Sequence, residues 1–382
     1  MDKTAVIAEY NPFHNGHAIQ IEYIRKNFPD TCIIAVMSGN IVQRGELAVL
    51  EKYTRAAAAL KTGVDAVLEL PYPWCASSAG YFARAAISIV GGLGIDRVCF
   101  GSESGSIEEL SLCSCRICSS EFRERFSEAE SEGKNSSLSY IQIMRSLYEK
   151  MYGERIPNGA NNTLAIEYLN ALYEQKSSVL PVTYKRLPGF SASVAREYYR
   201  SNDGMLKNVV PEALYELYAS NRAADYSLLS PIILWHFRSC RAEDISGCAD
   251  MGDGMAKRLI NAAREAGDIN EFYSLAASKK YTYSRLRRTV FNCLLNTTEQ
   301  DLKRKPAYTL LLAANSRGCA ALREMKREGT VAVITKPSDY RSAGALAKRQ
   351  FEFSLQADEL YATAAGRSCD ELLKKSPLIL KS

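Results

Sequence analysis

The amino-acid sequence predicts an α/β protein built on a doubly wound parallel sheet. Over the first hundred residues, strand-like and helix-like segments alternate, and turn residues follow each strand-like run. These runs are continuously apolar, which is typical of strands that helices cover on both faces. In such sheets, ligands bind beyond the C-terminal ends of the strands, where the strand order reverses.

Four strands and three helices are predicted in this region. The strand-like runs are rich in Val and Ile and begin at Thr4, Thr31, Asp65 and Asp96. The helix-like segments between them span residues 16–27, 51–62 and 78–91, of which the last two are rich in alanine. A fifth strand is expected in VLPVTYKR, the run that ends at Arg186.

The length of 382 residues suits two or three domains. We expect an α/β domain over residues 1–200, with a helical insertion at about 106–153, and a mainly helical basic domain over 201–382. Residues 255–350 contain nineteen Lys or Arg and eight Asp or Glu. This excess of positive charge indicates a polyanionic partner, although solvated helix faces rich in Lys and Arg give the same pattern.

The composition also predicts a location. No apolar run approaches the roughly eighteen residues that a membrane span needs, and the N-terminus has no secretory signal pattern. We therefore expect a cytoplasmic protein with reduced cysteines, and neither a membrane nor a protein partner is indicated. Cys113, Cys115 and Cys118 are close together, but no second ligand pair follows and their segment is helix-like, so no metal site is predicted.

The turn after the first strand contains two of the chain's three histidines, His14 and His17. Asn11-Pro12 ends the strand, and Gly16 allows a ligand to approach the free N–H groups of a helix start. A phosphate suits this position, where both imidazoles could donate hydrogen bonds to it. Turn histidines without chemistry are the alternative. No dinucleotide-type glycine triplet and no P-loop Lys occur here, which argues against a dehydrogenase or a P-loop NTPase.

The spacing His-x-Gly-His resembles the motif of the adenylyl-transferring superfamily that includes class I aminoacyl-tRNA synthetases and nucleotidyltransferases. Longer stretches are similar to one family in order and spacing, the bacterial tRNA(Met) cytidine acetate ligases. These stretches are IAEYNPFHNGH, VMSGNIVQRGELAV, EKYTRAAAALKTGVDAVLELP, YFARAAISIV, FGSE, NNTLAIEYLNAL and KKYTYSRLRR. The resemblance covers most of the chain and implies a Rossmann-like nucleotidyltransferase fold.

The resemblance also implies an activity. Members of the family activate acetate with ATP as acetyl-adenylate, and then acetylate the exocyclic amine of the wobble cytidine of elongator tRNA(Met) to form N4-acetylcytidine. ATP with accompanying Mg²⁺, acetate and this tRNA are the expected cofactors and partners. The alternatives are a nucleotidyltransferase that joins a nucleotide to a small phosphorylated metabolite, which would leave the basic domain unexplained, and a non-catalytic RNA-binding protein.

Carried over position by position, the resemblance assigns an ATP site in which His14 and His17 are catalytic. The ATP-binding residues implied in this way are Ile7, Ala8, Glu9, Tyr10, Asn11, Pro12, Phe13, His14, Asn15, Gly16, His17, Ala18, Ile19, Gln20, Gly101, Asn161 and Arg186. A missing side chain at Gly101 would let adenine or ribose lie against the backbone. Asn161 could read an adenine edge or a ribose hydroxyl, or simply cap a helix.

Three further groups are expected to contact substrates. The resemblance implies a triphosphate clamp of Ser191, Ser193 and Arg196 and a substrate loop of Ser38, Gln43, Arg44 and Glu46. The segment KKYTYSRLRR predicts a tRNA contact by Lys279, Lys280, Arg285, Arg287 and Arg288. Each group also has a structural alternative. The clamp residues could simply cap a helix, the substrate loop could be an exposed turn, and the basic segment could be a helix packed on the core.

The chain departs from the family pattern in two places. Only residues 187–190 separate the fifth strand from the clamp, where members have a longer loop, so closure over ATP is expected to differ. Leu310 and Ala313 stand where an Arg and a Gly are expected, so one RNA contact is expected to be lost or moved.

Overall fold

The computed structural model describes residues 1–132, 140–201, 204–369 and 374–380. Ten strands lie in these residues: β1 (Lys3–Ala8), β2 (Cys32–Ser38), β3 (Ile41–Val42), β4 (Glu46–Leu47), β5 (Ala66–Leu70), β6 (Arg97–Ser102), β7 (Leu180–Lys185), β8 (Tyr308–Asn315), β9 (Ala332–Ile334) and β10 (Leu378–Leu380). The predicted strands correspond to β1, β2, β5, β6 and β7.

Seventeen α-helices lie in the same described ranges: α1 (Asn15–Asn27), α2 (Lys52–Lys61), α3 (Ala79–Gly92), α4 (Ile107–Cys118), α5 (Ser120–Glu132), α6 (Tyr140–Tyr152), α7 (Ala160–Glu174), α8 (Ala192–Ser201), α9 (Tyr215–Ala219), α10 (Ser230–Ser239), α11 (Ala242–Ile245), α12 (Met255–Glu265), α13 (Ile269–Ala276), α14 (Tyr283–Leu294), α15 (Glu299–Lys303), α16 (Ser316–Glu328) and α17 (Ala345–Ala364). The three predicted N-terminal helices are α1, α2 and α3.

Eight of the strands form one sheet, in the order β10-β8-β5-β2-β1-β6-β7, with β9 also paired to β8. All pairs are parallel except β5 with β8. The chain runs outward from β1 to β5 and then returns to the other side of β1 with β6, so the strand order reverses beside β1. The predicted doubly wound fold is confirmed, and this reversal is where a ligand crevice forms.

Burial explains why these runs are strands. Every residue of β2 and of β5 is buried, as expected for central parallel strands with helices on both faces. Two hydrophobic clusters, one containing Ile34 and Leu68 and the other Ile33 and Val67, take alternate residues of the same strands. Because side chains alternate across a strand, these two clusters are the cores on opposite faces of the sheet.

The helices α4, α5 and α6 are inserted between the adjacent strands β6 and β7, and α4 packs on α7. Cys113 and Cys118 are buried on α4, while Cys115 is exposed. Within the described ranges, no group of three or more His, Cys, Asp or Glu side chains could hold a metal ion. The Sγ of Cys118 lies 3.4 Å from Oδ1 of Asn170, so this cysteine contacts α7.

The C-terminal part of the chain contributes to the same sheet, because β8 pairs antiparallel with β5. A buried ion network crosses this junction: the Lys52 ammonium contacts the carboxylates of Glu69 (2.9 Å) and Asp358 (2.6 Å). The division into domains at residue 200 stays a prediction. Among the described residues, no helix is long and apolar enough to span a membrane.

Candidate active site

The histidine turn has a reciprocal cap. His14 is the N-cap of α1, and its Nδ1 accepts a hydrogen bond from the Gly16 N–H at 3.0 Å. Nδ1 of His17 accepts from the His14 N–H at 3.1 Å, and the two rings stack with centroids 3.8 Å apart. A neutral imidazole whose Nδ1 accepts has its proton on Nε2. Both histidines can therefore donate from Nε2.

The environment keeps both rings uncharged. Burial, helped by the cations of Arg186 and Arg196, lowers the pKa of His14 to about 4. Burial, together with His14 and Arg186, lowers the pKa of His17 well below its usual value. At neutral pH the free protein therefore has two neutral N–H donors, and the positive charge comes from the two arginines.

A cavity of about 560 Å³ opens at the C-terminal ends of β1 and β6. Twelve of the expected ATP-binding residues line it: Ile7, Ala8, Glu9, Tyr10, Asn11, His14, Gly16, His17, Gln20, Gly101, Asn161 and Arg186. Five expected residues do not line it: Pro12, Phe13, Asn15, Ala18 and Ile19. Phe13 is fully buried in the core instead, and the Asn15 N–H donates to the Val209 carbonyl at 2.9 Å.

Asn161 links an acidic and a basic group at the cavity wall. Its Nδ2 donates to Oε1 of Glu103 at 2.7 Å, and its Oδ1 accepts from Arg186 at 2.6 Å. Glu103 also accepts from the Asn162 N–H at 2.6 Å, so its carboxylate caps the start of α7. Burial raises the pKa of Glu103, but the hydrogen bonds from Asn161 and Asn162 lower it overall. This chain of contacts holds the Arg186 guanidinium in place.

Gly101 lies close to two side chains of the cavity wall, so the absence of a side chain there also has a packing reason, beside the contact with adenine or ribose that is expected. A Cβ at this position would lie 2.7 Å from Cγ of Arg186 and 3.0 Å from the Tyr184 ring. The missing side chain therefore makes room for two neighbouring side chains of the same cavity.

The residues of the expected clamp also lie at the cavity, where α8 begins. The Ser193 N–H donates to Oγ of Ser191 at 3.3 Å. Arg196 donates to the Ser193 hydroxyl and to the Asn11 carbonyl, both at 3.1 Å. The guanidinium is thus held over the turn that precedes His14, with three of its five N–H groups remaining for a ligand.

Comparisons with known proteins identify the family of this chain. A family model described as HIGH nucleotidyl transferase matches residues 1–375. A tRNA(Met) cytidine acetate ligase of Caldanaerobacter subterraneus is 33% identical, with 95% of this chain and 96% of that protein covered. The chain belongs to this ligase family. A second ligase, from Acetivibrio thermocellus, is 32% identical over 94% of each chain.

A solved member of the acetate ligase family has the same fold. The crystal structure of Thermotoga maritima TmcAL bound with alpha-thio ATP matches with a TM-score of 0.92, 26% identity and complete coverage of both chains. The apo form of that protein gives the same TM-score.

In the present chain, the substrate loop expected for a ligase of this family is the β3–β4 hairpin. Gln43, Arg44 and Glu46 line the cavity, whereas Ser38 is buried at the end of β2 and does not. The Gln43 N–H donates to Oε1 of Glu9 at 2.9 Å, and burial raises the pKa of Glu9. Arg44 is exposed beside them. The hairpin therefore forms one wall of the cavity.

The segment expected to bind tRNA packs on the outside of that hairpin. Arg287 pairs with Glu46 at 2.5 Å and Arg288 with Asp250 at 2.6 Å, while Arg285 donates to the Asp250 carbonyl at 3.1 Å. Lys279 and Lys280 are exposed. Gly45 has a positive φ of 67° and packs against the backbone of α14. A Cβ at Gly45 would lie 2.5 Å from the backbone nitrogen of Arg288. Three of the five cations thus have partners within the protein.

Of the two departures from the family pattern, one lies at the cavity and the other lies inside the sheet. The short loop 187–190 ends at Phe190, which lines the cavity and packs on the histidine turn, since a Cβ at Gly16 would lie 2.9 Å from Cβ of Phe190. Leu310 and Ala313 are fully buried in β8, inside the sheet rather than on a surface that RNA could reach.

Eleven lining residues were missed by the sequence analysis, and most are apolar or aromatic. They are Val42, Ala79, Phe82, Phe100, Ala160, Thr163, Leu164, Tyr168, Tyr184, Phe190 and Ala192. An aromatic residue that lines a cavity has the same sequence pattern as one that fills a core, so periodicity carried no signal for them.

Proposed function

We propose that this chain is an ATP-dependent ligase that activates acetate as acetyl-adenylate and acetylates the wobble cytidine of elongator tRNA(Met). The observation that carries this proposal is the pair of Nε2 donors on His14 and His17 at the start of α1, inside a cavity with Arg186 and Arg196. Helix N-termini attract phosphate, and two cations and two neutral donors complement a triphosphate.

Several groups would bind ATP before any reaction. The triphosphate would lie against the N-terminus of α1, with the Arg196 guanidinium above it and Arg186 at the end of β7. The aromatic side chains of the cavity would exclude water from the nucleoside. Mg²⁺ is expected to accompany ATP, and the carboxylate of Glu9, whose Oε1 accepts from the Gln43 N–H, fits its preference for one or two carboxylates beside phosphate oxygens and waters. When bound, it would offset phosphate charge.

In the first step, a carboxylate oxygen of acetate attacks the α-phosphorus, the bond to the bridging oxygen breaks, and pyrophosphate leaves. Charge grows on the phosphoryl oxygens during this displacement. Neutral N–H donors held in place beside the phosphate would stabilise that charge without first being reoriented. The reciprocal cap holds both rings at the start of α1 and leaves the proton of each on Nε2.

In the second step, the cytidine N4 attacks the acetyl carbonyl carbon. The C–N bond forms, AMP leaves, and the amine loses a proton to AMP or water. The N4 lone pair is delocalised into the ring, so the reaction depends on the activated acyl group and on positioning. The base must leave its stack to reach the cavity.

Pyrophosphate exchange into ATP tests the first step. We expect exchange that requires acetate and that falls about a hundred- to a thousandfold in His14→Asn and His17→Asn. His236→Gln is the matched control, since His236 lies on α10 outside the cavity. Exchange that required a phosphorylated metabolite instead of acetate would favour the nucleotidyltransferase, and no exchange at all would refute adenylation.

A further inference from the structure

A second depression lies beside the ATP cavity, a groove of about 820 Å³. We call it the tyrosine groove because five tyrosines line it together with cations. These residues are Tyr198, Tyr199, Tyr215, Tyr218, Tyr226, Arg200, Lys207, Arg222 and Arg287. None of the motifs identified in the sequence accounts for them, apart from Arg287.

The tyrosine groove communicates with the ATP cavity. A smaller, open depression between them is lined by Glu46, Ser193, Arg196, Glu197, Arg200 and Ser201. It shares Glu46, Ser193 and Arg196 with the ATP cavity, and Glu46 and Arg200 with the groove. A chain that lies in the groove can therefore extend past Arg196 to the reacting end of ATP.

Three cations of the groove are available to a ligand. Arg200, Lys207 and Arg222 are exposed, and none forms an ion pair with a residue that the structure describes. The acidic lining residues are Glu46, which is paired with Arg287, and Asp225, whose pKa is lowered by hydrogen bonds from the Ser227 hydroxyl and N–H, so that it keeps its negative charge. Four cations against two carboxylates leave the groove with a net positive charge, which suits phosphates.

The aromatic wall is fixed to the histidine turn. Tyr199 donates to the Tyr218 carbonyl at 3.0 Å, and the Tyr218 hydroxyl donates to the Phe13 carbonyl at 3.0 Å, next to His14. Tyr198 is half-buried in the same groove. Tyr218 is buried, so it anchors this wall, and the part-exposed ring of Tyr198 is the one left for a base to stack on. Stacking beside cations is how proteins bind single-stranded RNA.

We propose that the tyrosine groove binds the unpaired nucleotides that flank the target cytidine, with Arg200, Lys207 and Arg222 on phosphates and Tyr198 against a base. This inference rests on the proposed function for the identity of the RNA. It moves the RNA contact away from Arg285, Arg287 and Arg288. Arg287 pairs with Glu46 of the hairpin, and the other two contact Asp250.

Direct binding of tRNA at several salt concentrations tests the groove. For the double variant Lys207→Ala, Arg222→Ala, we expect the Kd to rise about tenfold or more. The slope of log affinity against log salt should fall by about 1.4, because two phosphate contacts to a single strand are lost. The matched control is Arg323→Ala, Lys326→Ala, which removes two exposed cations from α16 and should bind like wild type.

A stacking test is independent of charge. Tyr198→Phe should bind tRNA like wild type, whereas Tyr198→Ala should weaken binding by about five- to a hundredfold. Equal affinity and equal slope in wild type and in the groove double variant would overturn the proposal, most clearly if Lys279→Ala, Lys280→Ala weakened binding instead. Acetate-dependent exchange by the wild-type protein needs no tRNA, so failure of the proposed function would show there and not in these binding curves.

Discussion

Glu46 and Arg287 form an ion pair, with Oε1 and Nη1 2.5 Å apart, that joins the hairpin at the ATP cavity to the basic helix α14. Each side chain is about one-third exposed, at 29% and 31%. Because Gly45 packs on the same helix, the position of the hairpin depends on α14. Arg287 therefore acts on the cavity through Glu46.

A double-mutant cycle measures this coupling. Glu46→Gln, Arg287→Gln and the double variant should give a coupling free energy of about 0.2–1 kcal/mol in denaturant unfolding, since a part-exposed pair is screened by water. The double variant should then be more stable than the sum of the single losses predicts. Strict additivity of the two single effects would mean that the pair contributes nothing.

Two substitutions separate the capping role of His14 from its role in phosphate binding. Asn at position 14 can still accept the Gly16 N–H, whereas Ala cannot, so His14→Ala should lose about 1 kcal/mol of stability through the cap alone. Both should lose adenylate formation to a similar extent, since neither has an imidazole N–H. Restored exchange in His14→Asn would mean that His14 acts only as a cap.

The histidine pKa values predict how stability depends on pH. The pKa of His14 in the folded protein is about 4, below its ordinary value of 6.5. Between these pH values the unfolded chain binds more protons, so this histidine makes stability fall as the pH decreases from 6.5 to 4. NMR titration of labelled histidine should find His14 and His17 neutral, with the proton on Nε2, at pH 6. Titration of both near 6.5 would contradict the assignment.

The buried network at the junction of β5 and α17 gives a stability prediction. Lys52→Met leaves the carboxylates of Glu69 and Asp358 without a cation in a buried site, and this should cost about 3–5 kcal/mol. Replacing all three by apolar residues of similar size should cost much less. Chemical denaturation distinguishes the two variants, and a small loss in Lys52→Met would mean that the carboxylates do not need the ammonium to remain buried.

Local patterns predicted the N-terminal half of the sheet well. The helix expected over 16–27 is α1 (Asn15–Asn27), and the apolar runs are the parallel strands, because burial on both faces leaves a local trace in the sequence. The place of β8 could not be predicted in this way. It pairs with β5, about 240 residues away, and neither strand has a residue type that identifies its partner.

In the candidate site too, local motifs could be predicted from the sequence, whereas contacts between segments distant in the chain could not. His14, Gly16 and His17 form a local motif whose geometry follows from a strand, a turn and a helix start. The prediction that Arg287 and Arg288 contact RNA stays a prediction, and it rests on composition, which records the positive charge of a segment but not its acidic partners. Glu46 and Asp250 become those partners only in the folded chain.

The central claim is that acetate and ATP are used to modify a tRNA cytidine. The most direct test incubates the protein with ATP, isotope-labelled acetate and elongator tRNA(Met), digests the tRNA, and identifies the labelled nucleoside by mass spectrometry. We predict labelled N4-acetylcytidine at the wobble position, absent without ATP and absent in His17→Asn. If the protein is folded and binds ATP but the tRNA remains unlabelled, the proposed activity is wrong.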